Sequence, residues 1–92
     1  MADISVQPTP NPDSLKFTRK KGTFIESGLF SFSTAEEAAR HPLGKALFDI
    51  QGVTNILILP DFLTVTKDPN SSWRPMQKVI EQTLADMLDE RI

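Results

Sequence analysis

The sequence predicts an α+β fold in which a mostly antiparallel sheet carries its helices on one face. Three observations support this prediction: short segments with alternating apolar and polar residues, two helical patterns with recognisable starts, and a tight turn between two adjacent strand patterns. Their order along the chain is β-β-(β)-α-β-β-α. Ninety-two residues are too few for two independent cores, so we expect one domain over residues 1–92.

The first third of the chain is predicted to form two or three strands. Residues 4–7 are extended, and residues 15–18 alternate between apolar and polar side chains. Residues 19–22 (Arg-Lys-Lys-Gly) predict a solvated turn, because glycine lets the backbone reverse while the charges stay in water. The alternation then resumes and places Phe30 and Phe32 on one face of a further strand.

Two helical segments are predicted in the middle of the chain. Two overlapping capping-box spacings start the first segment, with Ser33 and Thr34 as the candidate caps. Pro42 breaks this segment and can serve as the first residue of the next one. Residues 43–50 then carry apolar side chains at i, i+3, i+4 and i+7, and Gly52 is expected to end the helix in a left-handed conformation.

A β-hairpin over residues 53–67 and a final helix complete the pattern. Pro60 and Asp61 form the hairpin turn, and proline cannot adopt the positive φ of a type I′ turn, so a type I turn is predicted. The last helix begins near Trp73 with Pro75 in its first turn. Its predicted apolar stripe is Trp73, Met76, Ile80, Leu84 and Met87, with Val79 and Leu88 beside it.

Composition limits the classes of function. The chain contains no cysteine, which excludes thiolate nucleophiles, disulfides and cysteine-bound clusters within these residues. The net charge of −2 does not favour bulk attraction to nucleic acid or anionic lipid. No signal-peptide pattern is visible, and the longest apolar run, residues 56–59, is too short to cross a membrane. We therefore expect a soluble cytoplasmic domain.

Several stretches resemble a known family. They are TPNPDSLKF at residues 9–17, HPLGKALFDIQGV at 41–53, PDFLTVTK at 60–67 and the helix that starts at Trp73. With these stretches the chain resembles the N-terminal domain of the Nfu/NifU scaffolds of iron–sulfur cluster assembly. The resemblance implies a two-layer fold, a role in that assembly and a protein partner, which is an assembly component or a client.

The resemblance also implies where the metal chemistry lies. Full-length members carry it in a separate domain with a Cys-x-x-Cys pair, and this chain has no such pair. The resemblance thus leaves weak iron binding open but does not predict that this chain carries a cluster. Oxygen and nitrogen ligands would be Asp13, His41 and Asp61, although one histidine with scattered acids is not a transition-metal motif.

We expect a protein-interaction module rather than an enzyme, because no Ser-His-Asp spacing or glycine-rich phosphate loop is present. Pro10 and Pro12 stiffen the first family stretch, and the side chains of Asp13 and Ser14 are predicted to close its turn. The segment 9–17 with the basic residues that follow it, and the turn at residues 60–61, supply the candidate contacts: Asn11, Asp13, Lys16, Arg19, Lys20, Lys21, Pro60 and Asp61.

Two alternatives stay open at this point. A nucleic-acid-binding sheet would expose Phe17, Phe30 and Phe32 beside the basic residues 19–21, so that bases could stack on the rings. Aromatic residues that alternate along strands more often face the core, which argues against this alternative. An orphan structural or interaction domain with no link to iron–sulfur assembly is the other possibility.

Overall fold

The computed structural model describes residues 4–20 and 22–88. Within these residues it contains five strands and three helices, and their order confirms the predicted α+β arrangement with the third strand included. The elements are β1 (Ile4–Pro8), β2 (Ser14–Arg19), β3 (Phe30–Phe32), α1 (Ala35–Ala38), α2 (Pro42–Phe48), β4 (Val53–Ile58), β5 (Phe62–Lys67) and α3 (Trp73–Leu88).

The five strands form one antiparallel sheet in the order β1-β2-β5-β4-β3. The first hairpin therefore lies beside the central hairpin, and β1 and β3 occupy the two edges. The register places the start of β2 beside the end of β5, since Ser14 is paired with Thr66 and Thr18 with Phe62. This register brings the first family stretch to the beginning of α3.

One face of the sheet is covered by the helices and the other is polar. Leu63 and Val65 on β5 are fully buried, as are their cross-strand neighbours Phe17 and Ile58, whereas Thr64 points to the opposite face. The buried apolar residues form one core: Phe17, Phe24, Phe32, Ala38, Leu43, Leu47, Val53, Ile56, Ile58, Leu63, Val65, Met76, Ile80 and Leu84.

The first helix begins where the sequence predicts and is short. Thr34 is the cap, because its hydroxyl accepts a hydrogen bond from the Glu37 backbone N–H at 3.1 Å. The Glu37 carboxylate in turn accepts from the Ser33 N–H at 2.8 Å. Of the two candidate caps, the structure thus selects Thr34.

Pro42 begins α2, as predicted, and His41 caps it. The His41 Nδ1 atom accepts a hydrogen bond from the Gly44 N–H at 3.4 Å. The helix ends at Phe48, two residues before the predicted end, because the chain continues into a turn. Gly52 lies in that turn with a φ of 101°, which confirms its left-handed conformation but not its position as a helix cap.

The central hairpin turns at Pro60 and Asp61. Among the described residues only glycines have positive φ, so this turn is not of type I′, in agreement with the prediction from proline. The Leu59 N–H donates to the Phe62 carbonyl at 2.9 Å. The register shift of the hairpin lies at its open end, between Val53 and Asn55.

The last helix buries the predicted stripe. Met76, Ile80 and Leu84 are buried in the core, and Trp73 is partly buried against it. Val79 lies outside the stripe and exposes 47% of its surface. None of the helices in the described part of the chain is both long and apolar enough to span a membrane.

Candidate interaction surface

The proline-rich stretch folds into a turn whose backbone donors are satisfied locally. The Asn11 side chain accepts from the Asp13 N–H at 2.9 Å, and the Asn11 carbonyl accepts from the Ser14 N–H at 3.0 Å. The Thr9 hydroxyl accepts from the Asn11 N–H at 3.1 Å. Asn11 and Thr9 therefore close the turn, and the prediction that Asp13 and Ser14 do so is wrong.

Asp13 and Ser14 instead attach the turn to β5. The Asp13 carboxylate lies 2.9 Å from the Lys67 ammonium, and the Lys67 N–H donates to the Asp13 carbonyl at 2.8 Å. The Ser14 and Thr66 hydroxyls are 2.7 Å apart. These contacts join residues more than fifty positions apart in the sequence, and they show that both side chains hold the fold together.

Lys67 and Trp73 complete this attachment. The Lys67 side chain is only 7% exposed, and its ammonium lies 5.8 Å from the centre of the Trp73 ring. The indole Nε1–H of Trp73 donates to the Pro12 carbonyl at 3.0 Å. We call Pro12, Asp13, Lys67 and Trp73 the N-terminal clamp, because together they fix the first family stretch to β5 and α3.

The clamp was not predicted, although β5 carried a signal for it. Alternation along the strand places Lys67 on the same face as Leu63 and Val65, which is the buried face. A lysine there needs an anion, and Asp13 supplies it across the sheet.

The candidate contact residues do not form one surface. Asn11 and Asp13 lie at the end of the sheet where β5 finishes, whereas Asp61 precedes the start of β5, about 20 Å away along the strand. Lys16 lies between them on the polar face of the sheet, with its ammonium 4.8 Å from the centre of the Phe62 ring. Lys21 lies outside the described residues.

The remaining candidates lie at the end of the sheet where β5 begins, and two of them, Arg19 and Pro60, hold loops in place. Arg19 donates from a guanidinium nitrogen to the Thr23 carbonyl at 2.9 Å. The Pro60 carbonyl accepts from the Phe24 N–H at 3.1 Å, so the loop after β2 is attached to the hairpin turn. Lys20 is exposed at the same end.

The three candidate metal ligands are also separated. Asp13 is paired with Lys67, Asp61 lies at the opposite end of β5, and His41 caps α2. Within residues 4–20 and 22–88, no three histidine, aspartate or glutamate side chains gather in a group that could hold a metal ion.

The aromatic residues do not form a stacking platform for nucleic acid. Phe17 is fully buried and Phe32 is 6% exposed, since both face the helices. Phe30 is 39% exposed, but it belongs to the edge strand β3, and two strands, β5 and β4, separate β3 from β2, which Lys20 follows. The exposed rings beside Lys20 that this alternative requires are absent from the described residues.

An unpredicted groove lies beside β3. It has a volume of about 330 Å³, and its lining includes the rings of Phe30 and His41, whose centres are 4.6 Å apart. Leu29, the residue before Phe30, is 58% exposed. The charged residues at the groove are Glu37 and Arg40. We call this feature the β3 groove.

Comparison with protein families decides the relationship. The model of the family described as "Scaffold protein Nfu/NifU N terminal" matches residues 4–91. The chain belongs to this family. The match confirms the resemblance that the stretches at residues 9–17, 41–53 and 60–67 indicated.

Curated relatives of the Nfu/NifU N-terminal domain are longer proteins. The human protein named "NFU1 iron-sulfur cluster scaffold homolog, mitochondrial" is 40% identical over 84 residues, which cover 90% of this chain and 33% of that protein. "NifU-like protein 5, mitochondrial" of Arabidopsis thaliana is 41% identical over 70 residues, or 76% of this chain and 25% of that protein. The chain thus spans about a quarter to a third of such relatives.

Solved structures agree with the fold. The NMR structure of a NifU-like protein from Saccharomyces cerevisiae superposes with a TM-score of 0.83 at 25% identity, covering 97% of this chain and 80% of that one. A Staphylococcus aureus protein matches with a TM-score of 0.73 at 20% identity, covering 90% of this chain and 98% of that one. The two-layer antiparallel architecture is therefore shared.

The expected cytoplasmic location is contradicted by the relatives. The human protein and two Arabidopsis thaliana proteins carry the word mitochondrial in their names. The prediction was wrong because it relied on the absence of an apolar segment, and the composition of a folded domain does not specify a compartment.

Proposed function

We propose that this chain is a non-catalytic docking domain that serves iron–sulfur cluster assembly by binding a protein component of that process. The observation that carries the proposal is the family match over residues 4–91, supported by the human relative whose name is that of an iron–sulfur cluster scaffold. Docking is the task that a small sheet-and-helix domain can perform with its surface alone.

The chemistry of the residues is consistent with this division of labour. Clusters are held by cysteine thiolates, and the 92 residues contain none, so thiolates that hold a cluster would belong to residues outside this sequence. The cluster is then cargo that the docked components pass on, and this domain holds those components next to one another.

Iron binding is not part of the proposal. Asp13 is paired with Lys67, and the His41 Nδ1 atom accepts the Gly44 N–H, so two of the three candidate ligands already have partners. Asp61 alone would supply a weak, exposed oxygen ligand.

We propose that the first family stretch contributes to docking indirectly, and the clamp supports this proposal. Its backbone donors and both of its anchoring side chains are used within the fold, and the Trp73 indole is bonded to Pro12. The stretch therefore stabilises the domain that presents the docking surface, and the partner contacts another part of it.

Calorimetric titration tests the proposal. The folded chain is titrated with a purified cluster-loaded assembly scaffold from the same organism, and separately with an apo-acceptor protein. We expect saturable binding to at least one of them, with a Kd of about 100 μM or tighter, which is about −5.5 kcal/mol of binding free energy. No heat with either protein at tenfold higher concentration, from a sample with an intact far-UV spectrum, would contradict the proposal.

A matched control separates docking from non-specific association. Leu47 is fully buried in the core, and a Leu47→Asp variant places a carboxylate there, so it is expected to be unfolded. Binding that persists in this variant would show that the signal comes from exposed chain and not from the domain. The alternative of an orphan domain predicts no binding for either form.

A further inference from the structure

The outer side of β3 is an open sheet edge. In the described part of the chain β3 pairs only with β4, and the strand order ends there. Unpaired edges accept an additional strand, and folded proteins usually protect them. Here the strand is three residues long, yet Phe30 and the preceding Leu29 remain exposed.

The β3 groove lies where an added strand would place its inward side chains. Phe30 and Phe32 project from β3 to the helix-covered face, with ring centres 6.0 Å apart. Phe32 is buried, whereas Phe30 is partly exposed and contacts the His41 ring. A strand paired with β3 would add one more side chain beside Phe30 on the same face of the sheet. An apolar side chain there would contact the Phe30 and His41 rings.

The charges at the groove favour an acidic residue in the occupant. The Glu37 carboxylate is used inside the fold, because it accepts the Ser33 N–H at 2.8 Å. Arg40 is exposed, and no described carboxylate lies within ion-pair distance of it. The Glu37 carboxylate keeps its charge, but it is held at the Ser33 N–H and forms no ion pair with Arg40, so Arg40 can pair with a carboxylate of the occupant.

We propose that the β3 edge and the β3 groove bind an extended peptide segment of a partner protein, with an apolar side chain against Phe30 and His41 and an acidic side chain at Arg40. This binding adds one strand to the sheet: main-chain hydrogen bonds supply affinity, and the groove supplies selectivity. The inference rests on the proposed function for the identity of the partner protein.

A second copy of the chain fits this edge less well than a peptide does. Two β3 strands paired edge to edge would share only three residues on each side. Stable dimers bury about 1,200–2,000 Å² in total, which a three-residue pairing does not approach. An extended segment from a partner can use the groove as well as the edge.

Selection from a phage-displayed library of random ten-residue peptides tests the proposal without using any iron–sulfur protein. The chain is immobilised, enriched peptides are synthesised, and their binding is measured by fluorescence polarisation. We expect enriched sequences to contain an acidic residue close to an aliphatic or aromatic one. When such a peptide is added to the chain, the largest backbone amide shifts of the chain are expected at residues 29–32 and 40–41.

Two matched pairs of variants locate the site. Arg40→Glu is expected to weaken the peptides about tenfold, because an attraction becomes a repulsion, whereas Arg74→Glu makes the same charge change on α3 and is expected to change affinity less than about twofold. Phe30→Ala is expected to weaken binding more than Val79→Ala, although Val79 is the more exposed of the two side chains. Far-UV spectra verify that each variant is folded.

Each outcome has a definite meaning. Peptides whose shifts map to the groove lined by Ile50, Pro75 and Val79, equal effects of the two arginine variants, or concentration-dependent dimerisation through β3 would overturn the proposal. Failure to enrich any peptide would also overturn it. Enrichment at the β3 edge together with no calorimetric binding to assembly proteins would leave this site intact and contradict the proposed function alone.

Discussion

The ion pair of the N-terminal clamp leads to a prediction about which of its two partners is more costly to remove. The Lys67 side chain is 7% exposed and the Asp13 side chain 30% exposed. Asp13→Asn leaves a buried ammonium without its anion; its remaining contacts are the neutral amide oxygen of the new side chain, the Asp68 carbonyl at 3.3 Å and the Trp73 ring. Lys67→Met leaves a carboxylate that water can reach.

The magnitudes follow from this difference in exposure. Breaking a buried pair costs about 3–5 kcal/mol when the stranded charge has no access to water. The partial contacts of Lys67 reduce this, so we expect about 2–4 kcal/mol for Asp13→Asn. We expect about 1–2 kcal/mol for Lys67→Met, because hydration of Asp13 and the retained alkyl chain offset part of the loss.

Urea denaturation supplies the assay, and the single tryptophan supplies a local probe. Trp73 belongs to the clamp, so its fluorescence and the far-UV signal should report one transition if the domain unfolds in one step. A difference of 1 kcal/mol shifts the Tm of a domain of this size by about 4–8 °C, so thermal melting can rank the variants as well.

An exposed pair serves as the control. Lys45 and Asp49 lie 3.3 Å apart with side chains 61% and 66% exposed, and Lys45→Met is expected to cost less than about 0.5 kcal/mol. If Lys67→Met costs as much as Asp13→Asn or more, the reasoning from residual exposure is refuted. If both clamp variants match the Lys45 control, the clamp does not stabilise the fold.

Three further predictions concern stability. Gly44→Ala should destabilise the domain by about 1–3 kcal/mol despite better helix propensity, since the added carbon would lie 2.6 Å from the Phe32 ring; urea denaturation checks it, and a stabilised variant would contradict it. Trp73→Phe should cost about 1 kcal/mol through the lost bond to Pro12, with faster amide exchange in residues 9–14; unchanged exchange would count against the clamp. Asn11→Ala should cost about 0.5–1 kcal/mol by removing the exposed hydrogen bond to the Asp13 N–H, which water then solvates, whereas equal stability by thermal melting would show that this turn holds without its side chain.

Much of the fold could be predicted from local sequence patterns. Thr34 and Pro42 mark the starts of α1 and α2 because caps and prolines act on the residues next to them. The end of α2 was predicted two residues too late, since the apolar repeat continues through Ile50 although the backbone has already turned. Periodicity identifies the buried face of an element but not its last residue.

The candidate site was harder to predict because it depends on contacts between distant residues. Asn11 and Asp13 were selected for their exposed, polar character, yet Asp13 is paired with a lysine 54 positions away. The β3 groove arises where Phe30 meets His41 across a turn and a helix, and no local pattern contains that meeting. The pairing of β2 with β5 decides the first contact, and the path of the chain from β3 through α1 decides the second; neither can be read from a single stretch of sequence.

We propose that this domain docks a protein through the β3 edge while the proline-rich stretch holds the fold together. The decisive measurement is a set of backbone amide shifts of the isotope-labelled chain, recorded as the assembly protein that binds in the calorimetric titration is added. We expect the largest shifts at residues 29–32 and 40–41, with residues 9–14 nearly unchanged. Largest shifts at residues 9–14, with β3 unchanged, would contradict it.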